Sequence, residues 1–500
     1  MTRSHGALAL ALAVWANGCS AGSKQNASGA GFGTGPTGAT GVPGSTAQGG
    51  AAPAGTSPGG TGAGPGGGSV SSLGSGGGTT AGGAAAAAGG PSGSTQGGGG
   101  AQAPGGGGAA AGTGDAPTAG APSTACGANL LAAPDDPGVR GPWDVGVRTV
   151  TAGRVTAELM YPAKPGSTAG VPEATYNPRD WLPPSEQSKV PNANAPLVGP
   201  LGGHFYRDVP VDDQHGPYPL IIFIHGTASL RIGSASLNAQ WASRGFVVIA
   251  ADYPGLGLAD QLAPGCGLGQ SGLQDVSGDA DAQLQGLTSG SGDFAFIKDH
   301  VDVTRVAIVG HSQGGCMAAQ MSRVAGVQMI MPLDSSTSTS VGPLLESIMY
   351  VSGMDDTVIG YSTALIGNSV CPANPLPATS DTDAYSQSPG PPDVKVKRLV
   401  GIKGGGHLVP TDLCETNAAG RNAVQEAEAD GVCGVDTAGI LGLPTLADCG
   451  VAGFDWKAGV HAVGYATTAA LEETLLCKDR SAVFASLSTQ PLIGDFQHTP

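Results

Sequence analysis

A strand, a sharp turn and a helix follow one another around Ser312, and this order constrains the fold more than any other stretch of the chain. The apolar run Arg305–Val309 predicts a buried strand, Gly310-His311-Ser312-Gln313-Gly314 predicts a tight turn, and a helical pattern runs from Gln313 to Val324. Such a turn exposes the serine hydroxyl, because the small glycines let the neighbouring backbone pass closely. Ser312 is therefore the candidate nucleophile.

The motif needs this context, because 87 of the 500 residues are glycine and chance matches are expected. Gly55-Thr56-Ser57-Pro58-Gly59 fits the same pattern. It lies in a Gly/Ala/Pro tract with no apolar strand before it and no helix after it. Context favours Ser312 over Ser57.

Short apolar runs bounded by Gly, Pro or Asp recur along the second half of the chain. Apolar residues on both faces are typical of buried strands in a parallel sheet. Helical patterns between these runs predict an α/β fold, a doubly wound and mostly parallel sheet with helices on both faces. Antiparallel strands are expected to lead into it within Arg148–Pro162. The runs are Leu220–Ile224, Phe246–Ala250, Val306–Val309, Ile348–Val351 and Arg398–Ile402, and the helical patterns include Leu237–Arg244, Asp279–Leu287 and Val460–Ser486, the last interrupted near Lys478.

The N-terminal part has a different composition. An apolar run after Arg3, too short to span a membrane, predicts a signal peptide over residues 1–19. Gly18-Cys19 at its end resembles a bacterial lipoprotein processing site, which implies lipidation of Cys19 and an outer-membrane or cell-surface location; secretion after ordinary cleavage is the alternative. Residues 20–126 are mostly Gly, Ala, Ser, Thr and Pro and predict a disordered linker. Residues 127–500 remain as the catalytic domain, with a Cys-rich C-terminal segment.

The charge and cysteine content of the chain indicate which ligands and which covalent bonds to expect. A net charge of −16 with only 22 Lys and Arg offers no basic surface for nucleic acid. We expect a monomer that touches a membrane only through its lipid anchor. Nine cysteines in an exported chain favour disulfides, and we expect three, with Cys414, Cys433 and Cys449 among the partners and Cys316 as a buried free thiol. The chain lacks Cys-x-x-Cys and paired-His spacings, so no metal site is expected.

A serine nucleophile needs a base, and the base needs a carboxylate to fix its tautomer. Beyond Ser312 lie only three histidines. His407 follows an apolar strand and three glycines, whereas His461 lies in a helical pattern and His498 in a terminal tail, so His407 is the candidate base. The end of the strand before it supplies two adjacent acids, Asp355 and Asp356, and Asp334 after Met329–Leu333 is a third possibility.

These motifs occur in the order found in the α/β-hydrolase superfamily, which the chain resembles from about Gly141 to His407. The segments are His225-Gly226-Thr227, Asp252-Tyr253-Pro254-Gly255-Leu256-Gly257, Gly310–Gly315, Gly353–Val358 and Gly406-His407. Gly141–Thr149 and Tyr161-Pro162-Ala163 resemble bacterial relatives of platelet-activating-factor acetylhydrolase, dienelactone hydrolase and cutinase-like polyesterases. Dienelactone hydrolases use a cysteine nucleophile, so Ser312 favours the serine esterases.

The resemblance implies a role for each site residue. Asp356 is preferred to Asp355 as the acid, because the superfamily usually places it three residues after the glycine. The backbone amides of Thr227 and Gln313 are expected to form the oxyanion hole, and His225 to be a packed structural residue. Tyr253 is expected to contact substrate. Leu256, Leu258 and Trp241 are further candidates to line or support an acyl pocket, although Trp241 fits a core position equally.

The expected function is a serine carboxylic-ester hydrolase of esterase, lipase or polyesterase type, working through an acyl-enzyme without metal or organic cofactor. Its partner would be an ester substrate, either a small molecule, a lipid or a polyester. Two alternatives stay open, an amidase or peptidase with the same triad and a non-catalytic surface lipoprotein that binds a ligand.

Overall fold

The computed structural model describes residues 126, 129–195, 197–269, 274–363, 378–417, 419–435 and 447–499. The predicted signal peptide, Cys19, Ser57 and the predicted linker up to residue 125 lie outside these residues. Within the described part, no helix is both long enough and apolar enough to span a bilayer.

Ten strands form one sheet in the order β10-β9-β8-β7-β6-β4-β5-β2-β1-β3. The six strands from β9 to β5 run parallel to their neighbours, while β10 and β2 pair antiparallel at the two ends of this parallel block. The strands are β1 Val145–Ala152, β2 Val155–Pro162, β3 Phe205–Arg207, β4 Tyr218–Ile224, β5 Val247–Ala251, β6 Val301–His311, β7 Val327–Leu333, β8 Ser347–Gly353, β9 Val396–Ile402 and β10 Ile493–Thr499.

The described α-helices connect the strands or close the chain. They are α1 Ala235–Ser243, α2 Leu258–Leu262, α3 Val276–Ser289, α4 Gln313–Ala319, α5 Asp381–Gln387, α6 Ala423–Ala429, α7 Trp456–Leu476 and α8 Ser481–Ser486. Short 3-10 helices occur at Pro178–Trp181, Gln187–Lys189, Ala263–Cys266, Gly292–Ile297, Asp412–Cys414, Ala447–Cys449 and Leu487–Thr489.

The core has two layers because successive strand residues point to opposite faces of the sheet. In β4, Ile221 and Phe223 join one apolar cluster, and Leu220, Ile222 and Ile224 join the other. The first cluster includes apolar residues of α1 and α7, and the second includes those of α3. Burial on both faces explains why these strands are apolar at every position, and the predicted doubly wound fold is confirmed.

Local signals set the ends of the longest helix, α7. The Asp455 carboxylate caps its first turn by accepting hydrogen bonds from the Lys457 and Ala458 amides, and Cys477 ends it in the left-handed conformation with φ of 50°. The chain then turns and resumes as α8, which matches the interruption expected near Lys478.

Two details differ from the sequence-based expectation. Helix α4 ends at Ala319 rather than Val324, because the amides of Gln320 and Met321 bond carbonyls three residues back and tighten the last turn. His498 lies in strand β10, paired with Arg398 of β9, and not in a free tail. Strand β10 needs no continuous apolar run, because it is an edge strand that has a neighbouring strand, β9, on one side only.

The disulfides also correct one expectation. Cys126 bonds Cys477, Cys266 bonds Cys433, and Cys414 bonds Cys449. Cys316 is disulfide-bonded as well, so the expected free thiol is wrong. The position of Cys316 on the helix after Ser312 suggested burial, and it is buried, but burial does not decide redox state.

Candidate active site

Ser312 lies in a strained turn between β6 and α4. Its backbone has φ of 54° and ψ of −125°, a region that residues with a side chain rarely occupy. A Cβ added to Gly310 would come within 2.2 Å of the Gly314 carbonyl oxygen, so the turn closes only with glycine there. The turn is anchored by a 2.9 Å hydrogen bond from the Ser312 amide to the Leu333 carbonyl.

A chain of hydrogen bonds links Ser312 to His407 and Asp356. His407 Nε2 lies 2.9 Å from Ser312 Oγ, and its Nδ1 lies 2.9 Å from Asp356 Oδ2. The three side chains come from the ends of β6, β8 and β9, which meet at one edge of the parallel block. With Nδ1 donating to the carboxylate, Nε2 is free to accept the serine proton.

The two adjacent acids at the end of β8 have different surroundings. Asp356 is buried, and its Oδ1 accepts hydrogen bonds from the Val358 and Ile359 amides at 2.6 and 3.0 Å. Asp355 is exposed, and its Oδ2 accepts a hydrogen bond from the Gly404 amide at 3.1 Å. The structure therefore places Asp356, and not Asp355, on His407.

The charges around His407 stabilise its protonated form. Burial would lower the pKa of His407, but the adjacent Asp356 carboxylate outweighs it and raises the pKa above the usual histidine value. Burial would raise the pKa of Asp356, but His407 and the two backbone amides lower it. Asp356 is thus ionised and stabilises the imidazolium that forms when His407 takes a proton.

Two further buried acids, Asp334 and Asp381, lie close to this carboxylate. Burial, followed by the charges of Asp356 and the other acid, raises the pKa of Asp334 well above its usual range. Burial and the charge of Asp356 do the same for Asp381. Asp334 accepts a 2.7 Å hydrogen bond from the Gly353 amide and Asp381 one of 2.8 Å from the Ser335 amide. The raised pKa values of these two acids favour their neutral forms, whereas the pKa of Asp356 is lowered and favours its charged form.

Two clusters of the described residues have metal-ligand character, and neither fits an ion well. Asp334, Asp356 and His407 bring ligand atoms within 4.8 Å of one another. Both ring nitrogens of His407, however, already bond Ser312 and Asp356. In the other cluster, with Glu186, the two cysteines bond each other and supply no thiolate.

The predicted oxyanion donors, Thr227 and Gln313, lie next to each other. The Thr227 hydroxyl donates a hydrogen bond to Gln313 Oε1 and ties the loop after β4 to the start of α4. Among the described residues, neither backbone amide has an acceptor. A Cβ on Gly226 would come within 2.9 Å of Ser312 Cβ, so only glycine lets this loop approach the nucleophile.

Two neutral histidines support the site from inside the protein. His311 is buried, donates from Nε2 to the His407 carbonyl at 2.8 Å, and has its pKa lowered to about 3 by burial and by His407. His225 Nδ1 donates to the Gly226 carbonyl at 2.8 Å, and its Nε2 accepts from the Tyr253 amide at 3.3 Å. His225 therefore has the structural position expected for it.

Tyr253 does not occupy the expected position. Its side chain is fully buried, and its hydroxyl donates to the Phe223 carbonyl and accepts from Gln283 Nε2 at 3.1 Å. The tyrosine is a core residue packed against His225, and the expectation of a substrate contact is corrected. Leu256 and Trp241 are likewise core residues, while Leu258 lines a cavity described below.

The sequence interpretation missed three residues that hold His407 and its partners in place. They are His311, Asp381 and Asp448. Asp448 Oδ1 accepts a hydrogen bond from the Thr357 hydroxyl, and the Asp448 carbonyl accepts one from the Leu408 amide at 2.7 Å. His311 had a visible signal, because it lies inside the glycine motif. The two acids had none, since their burial near His407 depends on segments far apart in the chain.

Comparison with known families agrees with this architecture. A family model described as alpha/beta hydrolase fold matches residues 219–366, a range that includes Thr227, Ser312, Gln313 and Asp356 and ends before His407. No curated protein matches the chain significantly. The chain has the α/β-hydrolase fold, and the match of residues 219–366 to this family supports a hydrolase.

Proposed function

We propose that the chain is a serine carboxylic-ester hydrolase. The observation that carries the proposal is the position of His407, whose two ring nitrogens lie 2.9 Å from Ser312 Oγ and 2.9 Å from Asp356 Oδ2. This is the arrangement that makes a serine hydroxyl nucleophilic at neutral pH. The buried Asp356 carboxylate and the raised pKa of His407 support it.

In the proposed reaction, Ser312 Oγ attacks the ester carbonyl carbon as His407 Nε2 takes the hydroxyl proton. The carbonyl oxygen becomes an oxyanion, held by the amides of Thr227 and Gln313. The tetrahedral intermediate collapses, His407 returns the proton to the leaving alcohol, and an acyl-Ser312 ester remains. Water, deprotonated by His407, then releases the carboxylic acid and restores Ser312. Asp356 holds the His407 tautomer and stabilises its charged form throughout.

The proposal is tested with the full chain on p-nitrophenyl esters and by labelling with a fluorophosphonate. Ser312→Ala is expected to lower kcat by about 10⁴-fold or more and to abolish labelling. Ser57→Ala is the matched control, because Ser57 has the same Gly-x-Ser-x-Gly motif within the predicted linker, and it should behave as wild type. Substantial Ser312-independent turnover would contradict the mechanism. Labelling without ester turnover, together with cleavage of anilides, would indicate an amidase.

We also propose that the chain is exported. The disulfides support this, since such bonds persist mainly in oxidising compartments. Fractionation of cells that express the wild type or Cys19→Ala tests the lipid anchor. Cys19→Ala should move the protein from the membrane to the soluble fraction, and an unchanged distribution would argue against lipidation.

A further inference from the structure

An apolar cavity of about 230 Å³ lies outside the hydrogen-bonded triad. Ser312 and His407 are not in its wall, but both loops that carry catalytic groups continue into it. Ala228, directly after Thr227, begins one side of the wall. Asp412 and Leu413, a few residues after His407, form part of another.

These two loops are bonded to each other at the cavity. The Asp412 amide donates to the Gly233 carbonyl at 2.8 Å, and Asp412 Oδ2 accepts from the Ser236 amide at 2.8 Å. The stretch after the oxyanion loop and the stretch after the base are therefore joined by hydrogen bonds at the cavity. A group in the cavity would contact the same two loops that hold the ester carbonyl and the base.

Part of the wall, called the cover here, is formed by two groups of described residues, one between Tyr176 and Gly199 and the other between Asp412 and Val435. Four hydrogen-bonded contacts join its two segments: Lys189 Nζ to the Gly431 carbonyl at 3.1 Å, Asn194 Nδ2 to Asp430 at 3.1 Å, Asn417 Nδ2 to the Asn194 carbonyl at 3.1 Å, and the Cys433 amide to Glu186 at 2.8 Å. The Cys266–Cys433 disulfide ties the cover to the segment that follows α2. Hydrogen bonds and a disulfide thus connect the segments that form the wall of the cavity.

The chemistry of the wall selects an uncharged, apolar occupant. Leu182, Val190 and Leu262 are buried in it, and Leu197 is 63% exposed at the same cavity. Arg421 and Glu426, which also line the cavity, form an ion pair with each other and so offset each other's charge.

We propose that this cavity is the subsite for the apolar chain of the ester, so that the substrates are esters with an aliphatic or aromatic chain of several carbons. The inference rests on the proposed ester hydrolysis. Each methylene that enters the cavity should raise kcat/KM by about fourfold, the equivalent of about 0.8 kcal/mol per buried CH₂.

The experiment compares two substrate series on the full chain. One is p-nitrophenyl acetate to octanoate, in which the acyl chain grows, and the other is methyl to octyl acetate, in which the alcohol grows. A rise in kcat/KM along one series identifies which side of the ester enters the cavity. A flat or falling profile in both series would overturn the inference.

Variants connect the profile to the cavity. Ala427 on α6 lines the cavity, and Ala427→Phe should lower the ratio of kcat/KM for the hexanoyl over the acetyl ester (or for hexyl over methyl acetate) at least tenfold. Ala429→Phe, on the same helix but exposed and outside the wall, is the matched control and should leave the ratio unchanged. Ala423→Trp fills the cavity from an exposed position and serves if Ala427→Phe does not fold.

Two results would separate the inference from the proposed function. If the chain hydrolyses esters through Ser312 but neither cavity variant alters its chain-length profile, the cavity inference is wrong and the function stands. If no ester is hydrolysed in a Ser312-dependent way, the proposed function itself fails.

Discussion

Replacing Asp356 with asparagine tests the proposed triad with little change in shape. Asp356 Oδ1 already accepts the Val358 and Ile359 amides, so the asparagine oxygen should keep that place. Its NH₂ group would then face His407 Nδ1, where Oδ2 now accepts. To accept from this NH₂, Nδ1 must lose its hydrogen, and the ring proton moves to Nε2 beside Ser312 Oγ. His407 could then no longer take the serine proton.

The magnitude follows from what is lost. A general base contributes about 10²- to 10⁴-fold, and the same change in a serine protease triad costs about 10⁴ in kcat. We expect a loss of kcat near 10⁴-fold, which corresponds to about 5.4 kcal/mol at 1.36 kcal/mol for each factor of ten. The KM for a short ester should change little, because Asp356 acts on His407 and not on the substrate.

The assay is steady-state hydrolysis of p-nitrophenyl acetate across pH, with Asp355→Asn as the matched control. The Asp355 side chain is exposed and, among the described residues, bonds only the Gly404 amide, so its variant should keep near wild-type kcat. In the wild type, activity should fall as pH drops through the raised pKa of His407, because the protonated ring cannot act as a base. Loss of the Asp356 charge lowers that pKa, so any residual activity of Asp356→Asn should persist to lower pH.

Retention of kcat within tenfold in Asp356→Asn would refute this reasoning, and so would an equal loss in Asp355→Asn. If Asp356→Asn retains its activity, Asp334 is the candidate to replace Asp356 as the acid. A carboxylate oxygen of Asp334 lies within 4.8 Å of a carboxylate oxygen of Asp356 and of a ring nitrogen of His407. Removal of the Asp356 charge would favour ionisation of Asp334. If only the double Asp334→Asn/Asp356→Asn variant is inactive, Asp334 has taken over the role of the acid.

Two further predictions concern stability. Ser312→Gly should be more stable than Ser312→Ala by about 1 kcal/mol in chemical unfolding. Glycine relieves about 1–3 kcal/mol of backbone strain at φ of 54°, which exceeds the entropy cost of ordering a glycine on folding. An alanine variant of equal or greater stability would contradict the strained turn. Replacing Cys414 and Cys449 with alanine should lower the free energy of unfolding by about 4 kcal/mol, given the sequence separation of 35. It should also lower kcat, because this disulfide holds the segment after His407 against Asp448, and unchanged activity would show that the hydrogen bonds suffice.

The parallel part of the fold was predictable because its signals are local. Strands such as Leu220–Ile224 are buried on both faces and must be apolar throughout, and the helices between them show a regular spacing of apolar residues. Strand β10 gave no such signal, since polar residues such as Asp495 and Gln497 pair with β9 at the edge of the sheet. The end of α4 was misplaced for a related reason, because i−3 hydrogen bonds and not a sequence breaker close its last turn.

The site residues that could be predicted from the sequence are those in glycine-containing turns directly after strands. Ser312 and His407 each follow a strand and a glycine, and Asp356 differs from Asp355 only by one position along a loop. Tyr253 was placed wrongly, because its position after β5 suggested exposure while its ring packs inward and finds Gln283 as a hydrogen-bond partner. The raised pKa of Asp334 is caused by burial and by the neighbouring acids Asp356 and Asp381, which the fold brings together, so no local sequence pattern predicts it.

The bond between Cys126 and Cys477 turns most of the described chain into one covalent ring, with a sequence separation of 351. A protease that cuts a single peptide bond inside this ring leaves two fragments that stay attached to each other. The exposed stretches of the long connection between β2 and β4 could therefore be nicked without release of either half. Such damage would be invisible on a non-reducing gel and would appear only after the disulfides are reduced. The ring thus protects the integrity of the molecule in a way that is separate from its folding stability.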